Sequence, residues 1–114
     1  MLSVKERGLL LSIIEHCKRI EEKMVGATRK TIEQNVDIRE IVCFNILQIG
    51  ELAKHLTKDF IEKYDKVPWI KIKGMRDVVA HGYGKIDLED VWITASRDVT
   101  PLKEYCQKIL EENQ

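Results

Sequence analysis

Apolar side chains recur every three or four residues along most of the chain, whereas no stretch alternates between apolar and polar positions as a strand does. Ser3 and Glu6 have the spacing of a capping box, which predicts that the first helix begins there. Gly26 predicts the end of that helix, because glycine readily adopts the left-handed conformation of a helix C-terminus. The apolar stripe between these signals is Leu9 or Leu10, Ile13, Cys17, Ile20 and Met24.

A polar connection over residues 27–35 leads to a second predicted helix. Asp37 is its expected N-cap, with Glu40 three residues later. Asn45 interrupts the apolar stripe, and Gln48 and Glu51 lie near its border. Polar groups at such positions need partners, so they are either buried hydrogen-bonding residues or site residues. The stripe comprises Ile38, Ile41, Val42, Ile49, Leu52, Ala53 and Leu56.

Two further helices are predicted in the second half of the chain. The third runs from Gly74 or Met75 to about residue 81, where two nearby glycines stop it. Asp87 caps the fourth, which Pro101 breaks or kinks before the pattern continues to the C-terminus. Four main helices with short connections predict an all-α, up-and-down bundle that forms a single domain over residues 1–114.

Composition narrows the class of protein. The chain has 19 Lys plus Arg and 19 Asp plus Glu, which excludes a strongly basic DNA-coating protein. The N-terminus has no signal-peptide pattern and no apolar run is long enough to cross a membrane, so we expect a soluble cytoplasmic protein. Cys17, Cys43 and Cys106 each lie in an apolar helical pattern without a ligand partner, which predicts core thiols and no metal site.

The charge balance conceals a basic segment. Residues 63–85 contain six Lys or Arg and two Asp, and an Arg76, His81 and Tyr83 pattern lies near the end. The Arg76 guanidinium suits a phosphate and His81 suits proton transfer near neutral pH. Together they form a minimal set for metal-free attack of an RNA 2′-hydroxyl on the adjacent phosphate. Five residues on an ideal helix separate their directions by about 140°, so a frayed turn or a second subunit must complete the site.

Purely structural roles remain alternatives to this catalytic interpretation. Arg76 and His81 are also common as charges or satisfied groups near a helix end. Lys71 and Lys73 form either a solvated face or a surface that steers RNA. Trp69 is expected in the core or a dimer interface, as is Trp92, whereas His16 and His55 are expected at the surface.

Residues 76–83 resemble the Arg-x4-His-x-Tyr signature of HepT-like proteins, the HEPN toxins of HEPN/MNT toxin–antitoxin systems. Residues 45–54 resemble the Asn-Leu-x-x-Ile-Gly-Glu-Ala segment of that family. Pro68-Trp69 and Gly74-Met75 match the family's approach to the signature, and Asp87 with Val91-Trp92 matches the segment on its C-terminal side. The resemblance covers about residues 39–102.

The resemblance implies a HEPN homodimer with metal-independent endoribonuclease activity and no cofactor. Arg76 would bind the scissile phosphate, and His81 would act as general base or acid. Asp77, where many members have Asn, would orient the motif, and Glu51 would support the site or form a structural hydrogen bond. Possible RNA contacts are Lys71, Lys73 and Lys85.

The same resemblance implies a biological role. The chain would be the toxin of a type II system, neutralised by an MNT nucleotidyltransferase antitoxin that attaches AMP to Tyr83. A nucleotide two residues from His81 would fill the cleft and repel RNA. The alternative is a non-catalytic HEPN dimer that binds nucleotide, RNA or a nucleotidyltransferase partner.

Overall fold

The protein is helical, as the apolar periodicity predicts. A computed structural model describes residues 1–80 and 87–114, and the side chains of all these except 78–80. These residues contain no strand, and none of their helices is long and apolar enough to span a membrane. The helices of the described residues are α1 Val4–Met24, α2 Arg29–Gln34, α3 Val36–Ala53, α4 Lys58–Lys63, α5 Trp69–Ala80, α6 Leu88–Ile93 and α7 Val99–Glu112. A π turn, Thr94–Asp98, joins α6 to α7.

Local capping chemistry fixes several helix ends. The Ser3 hydroxyl accepts a hydrogen bond from the Glu6 backbone, and Glu6 bonds back to the Ser3 backbone, which confirms the predicted capping box. Asp87 caps α6 as predicted. Its side chain accepts hydrogen bonds from the backbone N–H groups of Glu89 and Asp90, which have no partner within the helix. The predicted cap of α3 was wrong by two residues. Asn35 accepts from the Ile38 backbone at 3.0 Å, so Asp37 lies inside the first turn, where a carboxylate favours the positive helix end.

Helix α5 begins earlier than the sequence pattern predicts. The Trp69 ring is buried and its Nε1–H donates to the Tyr64 carbonyl at 3.0 Å, which anchors the first turn against α4. Ile72 is also buried one turn later. Tertiary packing therefore starts the helix at Trp69, five or six residues before Gly74 or Met75, where the sequence pattern predicted its start.

The irregularity near Pro101 takes the form of a π turn. Proline lacks a backbone N–H and its ring clashes with the carbonyl four residues earlier, so an unbroken α-helix through Pro101 is unfavourable. The chain widens into the π turn just before this point and then continues as α7, with Pro101 in its first turn.

Helix α1 packs between α3 and α7, and the opposite flank of α3 packs against α5. Arg29 of α2 forms an ion pair with Glu89 of α6 at 2.8 Å, which ties the short second helix to the bundle. The side chains that fill the space between the long helices are fully buried; they include Leu10, Ile13, Ile20, Val42, Ile46, Ile49, Ile72, Val91 and Val99.

One polar pair lies between α1 and α3. Asn45 is buried, and its Nδ2 donates to the Ile41 carbonyl at 2.7 Å. Its Oδ1 lies 2.7 Å from Nδ1 of His16, which is half-buried. The expectation that His16 is a surface residue without a partner was therefore wrong. Asn45 is therefore a structural hydrogen-bonding residue, because its side-chain amide bonds both to Ile41 of its own helix and to His16 of α1.

The three cysteines are buried, as predicted. Burial raises the pKa of Cys17 to about 12, and it also raises the pKa values of Cys43 and Cys106. A thiol that stays protonated at neutral pH is a poor nucleophile and a poor metal ligand. These cysteines therefore serve the core.

Candidate active site

Helices α3 and α5 are in close backbone contact at Gly50 and Arg76. A Cβ atom placed on Gly50 would lie 2.7 Å from the Arg76 backbone nitrogen and 2.9 Å from the Arg76 Cβ. Both distances are shorter than real carbon contacts allow, and the nearest atom is backbone, which cannot rotate away. Only glycine therefore permits this spacing, and the contact fixes where the Arg76 side chain leaves α5.

Glu51 follows Gly50 and meets the same arginine. Its Oε1 lies 2.6 Å from Arg76 Nε, and both side chains are a little over one-third exposed. The Nε atom itself is buried and has no well-directed hydrogen bond among the described residues, so the contact is an ion pair in which the N–H does not point straight at the oxygen. Glu51 thus holds one edge of the guanidinium, while other parts of the side chain face solvent.

The predicted basic residues do not all join Arg76. Lys73 is half-buried and lies three residues earlier on α5, a spacing that places it on a neighbouring part of the helix surface. Lys71 lies on another flank, where its Nζ contacts Asp98 of the π turn at 3.0 Å. Asp77 is exposed and directly follows Arg76.

Three predicted site residues fall outside the described part of the chain. These residues are His81, Tyr83 and Lys85. Arg76 lies in the last turn and a half of α5, which is described as far as Ala80, immediately before His81.

An exposed apolar strip on α3 ends at this ion pair. Phe44 is 54% exposed and Ile41 is 37% exposed, although both are large apolar side chains in a long helix. Glu51 lies seven residues after Phe44, so both share one face of α3 about 10 Å apart along its axis. We call Ile41, Phe44 and Glu51 the α3 outer face. Asn45 faces α1 and Gly50 faces α5, so the α3 outer face lies between these two packed flanks.

Gly50 has no predicted role in the sequence, although it lies within a motif. A glycine inside an apolar helical stripe costs about 0.5–1 kcal/mol relative to alanine, so its presence indicates a close backbone contact. The neighbouring Glu51 supplies a second signal, because a carboxylate at the border of a buried stripe needs a partner. These two signals together point to the α3–α5 contact.

The donor chemistry of the site favours an anion. Arg76 and Lys73 are donors without acceptor capacity, and arginine binds phosphate with two parallel N–H groups. Among residues 1–80 and 87–114, no three His, Cys, Asp or Glu side chains are grouped as metal ligands.

Comparison with known proteins adds a family. The model of the ribonuclease HepT-like family matches residues 13–109. A candidate RNase of Caldanaerobacter subterraneus subsp. tengcongensis is 29% identical over 106 residues, which cover 93% of this chain and 95% of that protein. A gamma-glutamylcyclotransferase and candidate RNase of Methanocaldococcus jannaschii is 34% identical over 100 residues, or 88% of this chain and 45% of that protein. A probable ribonuclease HepT of Thermococcus cleftensis is 33% identical over 61 residues, 54% of this chain and 56% of that protein. No solved structure matches the chain.

We expect Gly50→Ala to lower the free energy of unfolding by about 1–3 kcal/mol, because the added methyl group must push α3 and α5 apart. Urea unfolding followed by circular dichroism measures the change. The matched control is Gly74→Ala on α5, where an added Cβ meets nothing within 4 Å. That control should keep or raise stability by up to about 1 kcal/mol, since alanine is the better helix former. Equal stability of the two variants would contradict the close contact.

Proposed function

The chain belongs to the ribonuclease HepT-like family, and on this premise we propose that it is an endoribonuclease that cleaves RNA without a metal ion. The observation that supports the proposal best is the placement of Arg76. The contact with Gly50 fixes the position of the Arg76 backbone, and the ion pair with Glu51 fixes the position of its Nε. His81 follows five residues later in the sequence. Preorganised cationic donors of this kind are effective where negative charge grows in a transition state.

Arg76 is the phosphate-binding residue in this proposal. Because Glu51 occupies the Nε edge of the guanidinium, the Nη groups are the donors assigned to the scissile phosphate. Glu51 is a positioning residue, since it acts through Arg76. In this proposal Lys71, Lys73 and Lys85 add positive charge that attracts the RNA backbone.

His81 is the proton-transfer residue. As general base it removes the proton of the 2′-hydroxyl, whose oxygen then attacks the adjacent phosphorus while the 5′-oxygen leaves and takes up a proton. The products are a 2′,3′-cyclic phosphate end and a 5′-hydroxyl end. Asp77 is the residue that orients the motif. DNA lacks the nucleophile and is not cleaved.

A homodimer would complete the site. The α3 outer face carries the exposed Phe44 and Ile41 and ends at the Glu51–Arg76 pair, so a second copy packed on it would bring the two arginines towards one cleft. Such packing would also remove two large apolar side chains from water. It would also supply the partner copy's His81 to the cleft, since five residues on an ideal helix differ in direction by about 140°.

The biological role in this proposal is that of a toxin in a HEPN/MNT toxin–antitoxin system. Tyr83 lies two residues after His81, so a group attached to its hydroxyl would stand in the cleft. An MNT nucleotidyltransferase antitoxin would attach AMP there, and the added phosphate would repel RNA while the adenosine fills the space.

The cleavage proposal predicts that the purified protein cuts single-stranded RNA in EDTA and leaves 2′,3′-cyclic phosphate ends. His81→Ala should lower the rate at least ~100-fold through loss of proton transfer. Arg76→Ala should lower it about 100–1,000-fold through loss of charge stabilisation. Gel analysis of end-labelled RNA measures both rates.

The matched control for these variants is Arg19→Ala, which removes an exposed arginine paired with Glu15 on α1. We expect the rate of this variant to equal that of the wild type. Tight RNA binding without turnover by the wild-type protein would contradict the ribonuclease proposal and favour a non-catalytic binding dimer.

The dimer proposal predicts that Phe44→Glu yields a monomer, because two carboxylates would be buried against each other at the shared face. Sedimentation velocity measures the mass, and the RNA cleavage rate should fall with the dimer fraction. Leu11→Glu on α1 is the control, since Leu11 is 53% exposed and lies outside the α3 outer face. A fully active Phe44→Glu monomer would contradict the composite site.

The regulatory proposal predicts that coexpression with the MNT partner adds one AMP to the wild-type chain and none to Tyr83→Phe. Intact-mass spectrometry measures the addition. Because the hydroxyl is the acceptor, the phenylalanine variant should keep its ribonuclease activity in the presence of the partner. Full inhibition of Tyr83→Phe by that partner would show that control does not act through this tyrosine.

A further inference from the structure

Tyr105 of α7 separates two grooves on a face that the proposed cleft does not use. It is 41% exposed, although it is a large aromatic side chain in a helix that packs on α1. The first groove, of about 270 Å³, lies between α7 and the segment that joins α4 to α5, and we call it the α4–α7 groove. The second, of about 80 Å³, lies between α5, the π turn and α7, and we call it the α5–α7 groove.

The charge of this face is positive. Lys63, Lys66 and Lys108 line the α4–α7 groove with two carboxylates, and Arg97 lines the α5–α7 groove. Within the described residues, none of Lys66, Arg97 and Lys108 forms an ion pair. Lys71 already neutralises Asp98 in the second groove. Tyr105 therefore has, on both sides, cations that form no ion pair within the part of the chain that the structure describes.

The walls beside Tyr105 are held in place. The Tyr64 hydroxyl accepts a hydrogen bond from Asn113 Nδ2 at 3.0 Å, and the Tyr64 ring packs on Phe60 with centroids 4.8 Å apart. Lys63 Nζ lies 5.5 Å from the Tyr64 ring centroid, which is within cation–π range. Val67 and Ile109 are buried beneath the groove. A ligand bound beside Tyr105 would therefore meet a surface that is largely preformed.

We propose that this face is a second binding site for single-stranded RNA, in which a base stacks on Tyr105 and the flanking phosphates contact Lys66, Lys108 and Arg97. Exposed aromatic rings between cations are the pattern by which proteins hold single strands without reading their sequence, because every base has a π face. A duplex keeps its bases stacked inside, so it cannot supply the base for the ring. The cations on both sides of Tyr105 favour the phosphates of a nucleic acid over an uncharged protein surface.

The proposal rests on the proposed function only in taking RNA as the ligand. Lys71 of the α5–α7 groove and Arg76 are five residues apart on α5, which places them on flanks about 140° apart. A strand held at Tyr105 would therefore reach the cleavage cleft through other nucleotides, around α5. The second site would act as an anchor that raises the affinity of longer RNA and leaves the cleavage step unchanged.

The test uses the full-length protein and a fluorescent 2′-O-methyl RNA oligonucleotide, which cannot be cleaved because its 2′ oxygen is blocked. Fluorescence anisotropy measures the dissociation constant. Tyr105→Leu should weaken binding about fivefold to tenfold or more, as base–aromatic stacking predicts. Tyr105→Phe keeps the ring and should bind like the wild type, and neither change should alter binding of a matched duplex.

The lysines have a separate readout. The double variant Lys66→Gln with Lys108→Gln should reduce the slope of log affinity against log salt by about 1.4, since each single-strand phosphate contact contributes roughly 0.7. The control is Lys30→Gln, an exposed lysine on α2 that lies outside both grooves. It should leave the slope unchanged.

Two outcomes would overturn the proposal: equal binding of the oligonucleotide by Tyr105→Leu and the wild type, or an equal loss in Tyr105→Phe. Either result would show that RNA binding does not depend on stacking against the Tyr105 ring. The cleavage assay is independent, because a protein that fails to cut RNA can still lose strand binding in Tyr105→Leu. Failure of one proposal is thereby distinguished from failure of the other.

Discussion

The close approach of α3 to α5 is the constraint on which the rest of this structure depends. Because Gly50 has no side chain, the backbone of α5 at Arg76 comes nearer to α3 than any other residue type would permit. The same contact turns Arg76 towards Glu51, so one missing Cβ sets both the helix spacing and the position of the guanidinium. A site built on two packed helices is held more precisely than one built on loops, because its supports are themselves close-packed.

Helix α5 distributes its side chains over flanks with different functions. Trp69, Ile72 and Met75 are buried and join it to the core. Arg76 leaves on the flank that meets α3, whereas Lys71 leaves on the flank that meets the π turn. The basic segment of the sequence is therefore divided in space, and its positive charge serves two surfaces of the molecule instead of one.

The sequence predicted those features that depend on local chemistry. The Ser3–Glu6 capping box and the apolar stripes are short-range signals, so the all-helical bundle follows from them. The start of α5 did not follow, because burial of Trp69 against the α4 region is a tertiary effect. For the site, the arginine and Glu51 were recognised from the motif, yet their ion pair and the role of Gly50 depend on how two distant helices meet. The partnership of His16 with Asn45 was missed for the same reason, since the two residues are 29 positions apart in the chain.

The π turn between α6 and α7 changes the rotational register of the C-terminal part of the chain. A π turn closes its hydrogen bonds over five residues instead of four, so it accommodates one residue more than an α turn. Each added residue rotates the downstream helix by about 100° relative to an unbroken one. The orientation of every α7 side chain, from Leu102 in the core to Tyr105 at the surface, is thus equivalent to that produced by a one-residue insertion at Thr94–Asp98. In a relative with a regular α-helix in place of this π turn, the residues that align with those of α7 would point in directions rotated by about 100°, so different aligned positions would lie at the surface.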